Sequence, residues 1–407
     1  MAPAIPITAT ESYSQTPSIK PDDSISATMP TIIPSVPVST ESLLGENLDV
    51  NCVVIDQTLL SRPEIEESNL LLQEDKTRQV YLMNLKSMET SCINGQENEI
   101  IMDFSVSPDG ERLALTRSKI DGITTKSSNL EILSSDSQVL KNIPIDVGLF
   151  ISRWLDKERI VLTQGLGPSS PQIVLNIITG SQQDLQTDFP DLYDMPPTSN
   201  WENQGVVVYD PSLTRVVYAG APADIVFDDV RNENIIFRLS PAPVIHSVPK
   251  WSPDGQQVVF TYADILNPIN NPDHWRFEIY SLSWDGQFKQ LTNLSETYQF
   301  PRMPYYKWSP DGKYIAFWLE TAPGESPGVF DFSVLNLTTE TVTNYCIKSV
   351  ARGMPKFFWS PNSDYVILET FKANDDKSNQ LILLDIKKSG IIQIGENLHP
   401  LGWMTSP

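Results

Sequence analysis

The one run in this 407-residue chain that spells out a catalytic pattern is Gly324-Glu325-Ser326-Pro327-Gly328, which fits the G-x-S-x-G of a nucleophile elbow. Such an elbow lifts a serine hydroxyl out of a tight turn between a strand and a helix. Here Pro323 and Pro327 bracket the serine, and Val329-Phe330-Asp331-Phe332-Ser333-Val334 reads as a strand where a helix would be needed. Glu325 and Ser326 are therefore read as loop residues, and no catalytic residue is assigned. The three histidines, His246, His274 and His399, are too few for a His-rich metal site or for most imidazole-based catalysis. Asp264, Asp273 and His274 share one stretch and could contact a cation or a ligand, but their spacing matches no metal motif. P-loop, dinucleotide, HExxH and EF-hand patterns are missing too, so neither a cofactor nor a metal is expected.

The elements that position these residues follow from composition and repetition. Acidic residues outnumber basic ones 51 to 29, a net charge of -22. Such a polyanion repels phosphate backbones, so no nucleic-acid partner is expected. A run of 18 apolar residues occurs nowhere, so no transmembrane segment is expected. Hydrophobic residues make up 40% of the chain, enough for an extensive core.

One motif recurs. It reads Val106-Ser107-Pro108-Asp109-Gly110, then Trp251-Ser252-Pro253-Asp254-Gly255, Trp308-Ser309-Pro310-Asp311-Gly312 and Trp359-Ser360-Pro361-Asn362-Ser363. Degenerate copies start at Trp154 and Tyr209, and Trp403 opens a seventh. Intervals of roughly 40 to 55 residues suit the four-stranded blades of a β-propeller. In each copy an apolar strand ends at the aromatic residue. Pro then presets the turn, Asp bonds its own backbone, and Gly takes the left-handed position before the next strand. The aromatic ring is expected to wedge between blades as core. The expected fold class is all-β, a seven-bladed β-propeller of four-stranded blades. Residues 51–98 supply outer strands without an inner one, and Leu401-Gly402-Trp403-Met404 supplies an inner strand without outer ones. Joining them closes the ring by pairing N- and C-terminal strands in one blade, which removes the open sheet edges.

Residues 1–48 are rich in Ser, Thr and Pro and show no sustained periodicity, so they read as a disordered tether, with the propeller spanning 49–407. The chain as given has no basic segment followed by an apolar one at its start, so no signal peptide is read there. Export to the cell envelope, with a signal or lipid anchor lost ahead of Met1, is set slightly above a cytoplasmic location. Cys92 and Cys346 fall in outer strands of different blades and are not expected to meet. Cys52 and Cys92 share a blade, and they either pair in an oxidising compartment or remain thiols.

The repeats resemble the TolB-type propeller repeats, a branch of the WD-repeat-like propellers. The best match is Tyr280-Ser281-Leu282-Ser283-Trp284-Asp285-Gly286 through Thr292, followed by Trp308-Ser309-Pro310-Asp311-Gly312. The resemblance covers about residues 50 to 407 and implies the propeller fold. The namesake of the family is a periplasmic protein-binding component of a cell-envelope complex. It carries an α/β domain ahead of its propeller, where this chain has only the tether. Prolyl peptidases join similar propellers to a hydrolase domain, and no segment here fits one.

By strand order, the links between blades and the loops between second and third strands share one face, opposite the Ser-Pro-Asp-Gly turns. Arg153, His246, Arg302, Tyr305, Arg352 and His399 are assigned to the inter-blade links as candidate binding residues at that mouth. Asp264, Asp273 and His274 belong to the longest loop there. The expected function is a non-enzymatic binding or scaffold module, monomeric, recognising a protein or peptide at this mouth. The alternative is a propeller-type lyase or hydrolase acting on a small or saccharide substrate in the central funnel.

Overall fold

Alternating and fully apolar runs pair with their sequence neighbours, as short strands joined by tight turns must. The computed structural model describes residues 68–405, apart from 76–78, 94–98, 122–123, 165–169, 171, 189–206, 221–223, 230–233, 240–247, 264–275, 299, 321–327, 351–354 and 373–377. The tether expected over 1–48 lies outside the described residues. So do Cys52 and the G-x-S-x-G serine, Ser326.

The described strands form seven four-stranded antiparallel sheets, and the architecture is an all-β propeller. Sheets two to seven are meanders. Their innermost strands are Glu99–Val106, Phe150–Trp154, Val207–Tyr209, Lys250–Trp251, Arg302–Trp308 and Phe357–Trp359. Sheet one draws on two distant parts of the chain. Ser68–Glu74, Val80–Asn84 and Thr90–Cys92 are its outer strands, and Leu398–Thr405 is its innermost. Leu70 lies opposite Trp403, and Leu71 opposite Gly402. Helix is confined to the four residues Leu185–Asp188 and a 3-10 turn at Leu294–Glu296 among the described residues.

The cores form between sheets. Ala316, Trp318 and Phe332 of sheet six pack with Phe357, Val366 and Leu368 of sheet seven, all 0–1% exposed. Sheet one meets sheet two through Leu71, Leu401 and Leu115. Tyr365 of sheet seven stacks on Trp403 of sheet one, ring centres 6.4 Å apart. In four of the seven sheets the tryptophan ending the innermost strand also fastens its sheet to the one before. Trp154 Nε1 donates to the Ser105 carbonyl at 3.0 Å, Trp251 to Val208 at 3.1 Å, Trp308 to Lys250 at 3.0 Å and Trp359 to Lys307 at 3.3 Å. A buried indole N–H gains from such an acceptor, and in these four the preceding innermost strand supplies it one residue before its own last residue.

The turns close as their sequence dictates. Ser309 Oγ donates to Asp311 Oδ1 at 2.7 Å and accepts the Tyr314 N–H at 2.9 Å, while the same carboxylate oxygen takes the Lys313 N–H at 3.1 Å. Ser107, Ser252 and Ser360 repeat the pattern. Gly312 adopts φ 70°, the left-handed conformation the turn requires, and in the fourth copy Ser363 adopts φ 63° at the same place.

Candidate functional site

The innermost strands surround a common axial space. A cavity of about 300 Å³ at the turn end is lined by Phe104 and Ser105 of sheet two, Lys356 and Phe358 of sheet seven, Leu401 and Gly402 of sheet one, and the turn residues Pro108, Gly110, Pro310 and Pro361. The residue just before each repeat aromatic has its carbonyl held by the next sheet's indole in four cases, which sets its side chain at one level of the channel. Going round the sheets from two through seven to one, that position reads Ser105, Arg153, Val208, Lys250, Lys307, Phe358 and Gly402. Three of the seven are cations and none is an acid, in a chain where acids dominate.

Lys307 is the most enclosed. Its Nζ donates to the Phe357 carbonyl at 2.7 Å and sits 3.6 Å above the Phe358 ring. Its pKa is pushed down to about 7, first by burial and then by the ammonium groups of Lys250 and Lys356. Lys250 is lowered as well, by burial and by Arg153, and its Nζ lies 5.9 Å from the Tyr306 ring centre. Lys307 and Lys250 remain partly accessible. No carboxylate among the described residues lies within ion-pair distance of Lys250, Lys307 or Lys356.

Arg153 does not sit in an inter-blade link as expected. It is the fourth residue of the strand Phe150–Trp154, next to the turn, and its Nη2 donates to the Tyr209 carbonyl at 3.4 Å. The strand begins three residues earlier than the link assignment requires, because Phe150 and Ile151 already pair with Thr163 and Leu162. Arg302 and Tyr305 are likewise strand residues. Arg302 opens its strand at the link end opposite Glu320, with its Nε shielded from solvent. Tyr305 packs against the core between sheets six and seven, and burial raises its phenol pKa.

His399 is the second residue of the strand Leu398–Thr405 and acts as a clasp. Its Nδ1 bonds to Glu369 Oε1 of sheet seven, and its Nε2 lies 3.3 Å from Asp75 Oδ1 just after the second strand of sheet one. The imidazole pKa is raised, by the hydrogen bond with Glu369 above all and by Asp75, against a lowering from burial. Asn379 Nδ2 donates to the same Glu369 oxygen at 2.6 Å. His399 is thus committed to joining sheets seven and one. His246, Arg352, Asp264, Asp273 and His274 lie outside the described residues.

The channel lysines were missed by the motif reading, although a signal was present: a cation directly before the aromatic in Arg153-Trp154, Lys250-Trp251 and Lys307-Trp308. Lys356 has no comparable signal. The cysteines also need correction. Cys92 carries a free thiol whose pKa is raised by burial, so it does not pair with Cys52, whereas Cys346 is disulfide-bonded. Cys346 takes φ 52° at an irregular point of the outer strand Thr341–Val350, a conformation that turns its side chain out of the regular strand alternation. No group of three or more His, Cys, Asp or Glu arranged to hold a metal occurs among the described residues. No described helix is long and apolar enough to cross a membrane.

No protein-family profile matches the sequence, and no curated protein matches it. Solved structures similar to the chain include TolB from Acinetobacter baumannii, at 14% identity and TM-score 0.42 with 82% of each chain covered. An oligogalacturonate lyase in complex with manganese is 12% identical at TM-score 0.47, covering 80% of this chain and 84% of that one. The oligogalacturonate lyase of Vibrio parahaemolyticus is 13% identical at TM-score 0.48, covering 81% and 85%. A TolB and lyases stand side by side in this set, so the likeness selects no function. The fold is read from the sheets themselves.

Proposed function

We propose that the chain is a non-enzymatic binding module, a ring of seven blades clasped by its N- and C-terminal strands, that recognises a protein or peptide at the face carrying the inter-blade links. The observation that carries the reading is the inequality of the two ends of the sheets. At one end, four-residue turns spend their hydroxyls, carboxylates and backbone donors on one another, leaving little to offer a partner. At the other, strands are joined by longer stretches, 189–206 between Leu185–Asp188 and Val207–Tyr209 and 264–276 between Gln257–Ala263 and Phe277–Ser283, whose sequences hold Asp, Asn, His, Tyr and Trp. Polar and aromatic side chains in connecting segments on a rigid frame are the usual composition of a recognition surface. In this reading His246, Arg352, Asp264, Asp273 and His274 are contact residues of that face. The disulfide at Cys346 supports export to an oxidising compartment.

The test is affinity capture with the purified chain, followed by replacement of 264–275 with a Gly/Ser linker of equal length. Loss of the captured partner is expected. Glu111→Lys and Lys313→Glu, at the turn end, should leave capture intact. Capture that survives the linker replacement and fails in the turn-end pair would place recognition on the opposite face.

A further inference from the structure

We propose that the central channel is a binding site for a small oxyanion, a phosphate or carboxylate compound, held by Lys250 and Lys307 with Lys356 at its rim and Arg153 adding to the field. The site is independent of the partner recognised at the mouth.

Three observations converge on it. The cations lie on different sheets and meet only because the innermost strands share an axis. Lys307 feels Lys250 of sheet five and Lys356 of sheet seven, and Lys250 feels Arg153 of sheet three. The ammonium groups lack carboxylate partners among the described residues, although 51 acidic residues were there to supply them. Finally, a cavity adjoins the cluster at Lys356, with neither Lys250 nor Lys307 among its lining residues. Lys356 and Phe358 line it, and Lys307 rests on the Phe358 ring.

Burying like charges together is costly, and a fold that needed only packing there would place apolar residues at this level, as it does with Val208 and Phe358. An oxyanion offsets that cost. It accepts the ammonium N–H bonds not used on the Phe357 carbonyl, and its charge opposes the repulsion between Lys250, Lys307 and Lys356. Two or three neighbouring cations favour a ligand of charge -2 or more over chloride. The acidic exterior repels polyanions in bulk solution, which restricts entry to small molecules and argues against a nucleic acid.

The experiment is calorimetric titration of the full chain at pH 8 with inorganic phosphate and, separately, with succinate, against sodium chloride at matched ionic strength. Saturable binding at one site per chain is expected for at least one of the two, and the arm that binds names the class. Proton uptake should accompany it, read from the dependence of the heat on buffer ionisation enthalpy, because an anion restores the proton that Lys307 has shed. Lys307→Met and Lys250→Met should each weaken binding about tenfold or more, the loss of one charged hydrogen bond. Lys313→Met, whose ammonium pairs with Asp311 3.1 Å away at the turn end, should bind as the parent does. Thermal melts of the two channel variants at pH 6 without anion, where Lys307 is charged, are expected at or above the parent value, since each removes an uncompensated charge. Absence of saturable binding in both arms, equal binding by parent and both channel variants, or a clear loss of stability in Lys307→Met would each overturn the proposal, the last by making the ammonium a structural strut.

Discussion

Gly402 offers a direct test of where the last strand sits. A Cβ built on it would lie 2.4 Å from Val106 Cγ2 and 3.2 Å from Val106 Cβ, a residue 296 positions earlier and in the next sheet. The Gly402 backbone is in an ordinary strand conformation, so alanine carries no dihedral penalty there. An unobstructed Gly→Ala change in a strand would gain about 0.5–1 kcal/mol. The clash reverses the sign, because Val106 is β-branched with little χ1 freedom, and overpacking of this kind costs about 1–3 kcal/mol. Val106→Ala removes the offending methyl and leaves the 3.2 Å contact, which a shift of a few tenths of an ångström accommodates. Val106 is only partly buried, so that change alone costs about 1 kcal/mol. The double variant should therefore be no less stable than Val106→Ala, a coupling of about 1–3 kcal/mol in its favour. Urea unfolding followed by tryptophan fluorescence reads all four corners of the cycle. Additivity of the two single effects to within about 0.5 kcal/mol would refute the seating of Leu398–Thr405 beside Glu99–Val106.

The remaining predictions concern single groups. His399 has a raised folded pKa, so its contribution to stability is complete below the unfolded value of 6.5 and is lost as pH rises through the folded value; His399→Gln should remove that falling slope in chemical melts from pH 6 upward. Lys307 acts in the opposite sense, since its folded pKa of about 7 lies below 10.5: stability should rise with pH between the two, and Lys307→Met should abolish that rise. Trp308→Phe removes the donor to the Lys250 carbonyl and leaves unfilled volume, a loss of about 1–3 kcal/mol in urea unfolding, whereas an unchanged midpoint would deny the indole its fastening role. In denaturant without reductant, alkylation followed by peptide mass spectrometry should label Cys92 and spare Cys346, and prior reduction should expose both.

How far the residues announce this molecule depends on the range of the interaction involved. The turns were legible because Ser-Pro-Asp-Gly encodes them within five residues: the serine hydroxyl, the aspartate oxygen and the left-handed glycine all act locally. The Trp-opened repeats were legible for the same reason, as each aromatic follows its own apolar run. Placement along a strand was not. Arg153 was assigned to a link because strand ends are the least determined part of any local pattern, and tertiary pairing with Val161 drew it into the sheet. His399 looked like a free cation at the mouth, yet its partners Asp75 and Glu369 are 324 and 30 residues away, a separation no local reading spans.

The channel lysines show most clearly what separates a readable feature from an unreadable one. A cation before an aromatic is a local fact visible at 153, 250 and 307, but its meaning is not local. Lys250 and Lys307 are 57 positions apart, and only the repetition of the sheets around an axis brings their ammonium groups into one field. The same tryptophan that marks the repeat creates that convergence. By hydrogen-bonding the carbonyl one residue before the previous aromatic, Trp308 and Trp359 fix the backbone at Lys250 and Lys307, and with it the level at which their side chains meet the channel. A residue type that is ordinary on a lone strand thus becomes a site when its repeat position is one the fold turns toward the axis. In repeat architectures, charge at a given position should accordingly be counted across copies before it is judged one residue at a time. Here the count is three cations, no acids and four neutral residues, against a background of almost two acids for every base.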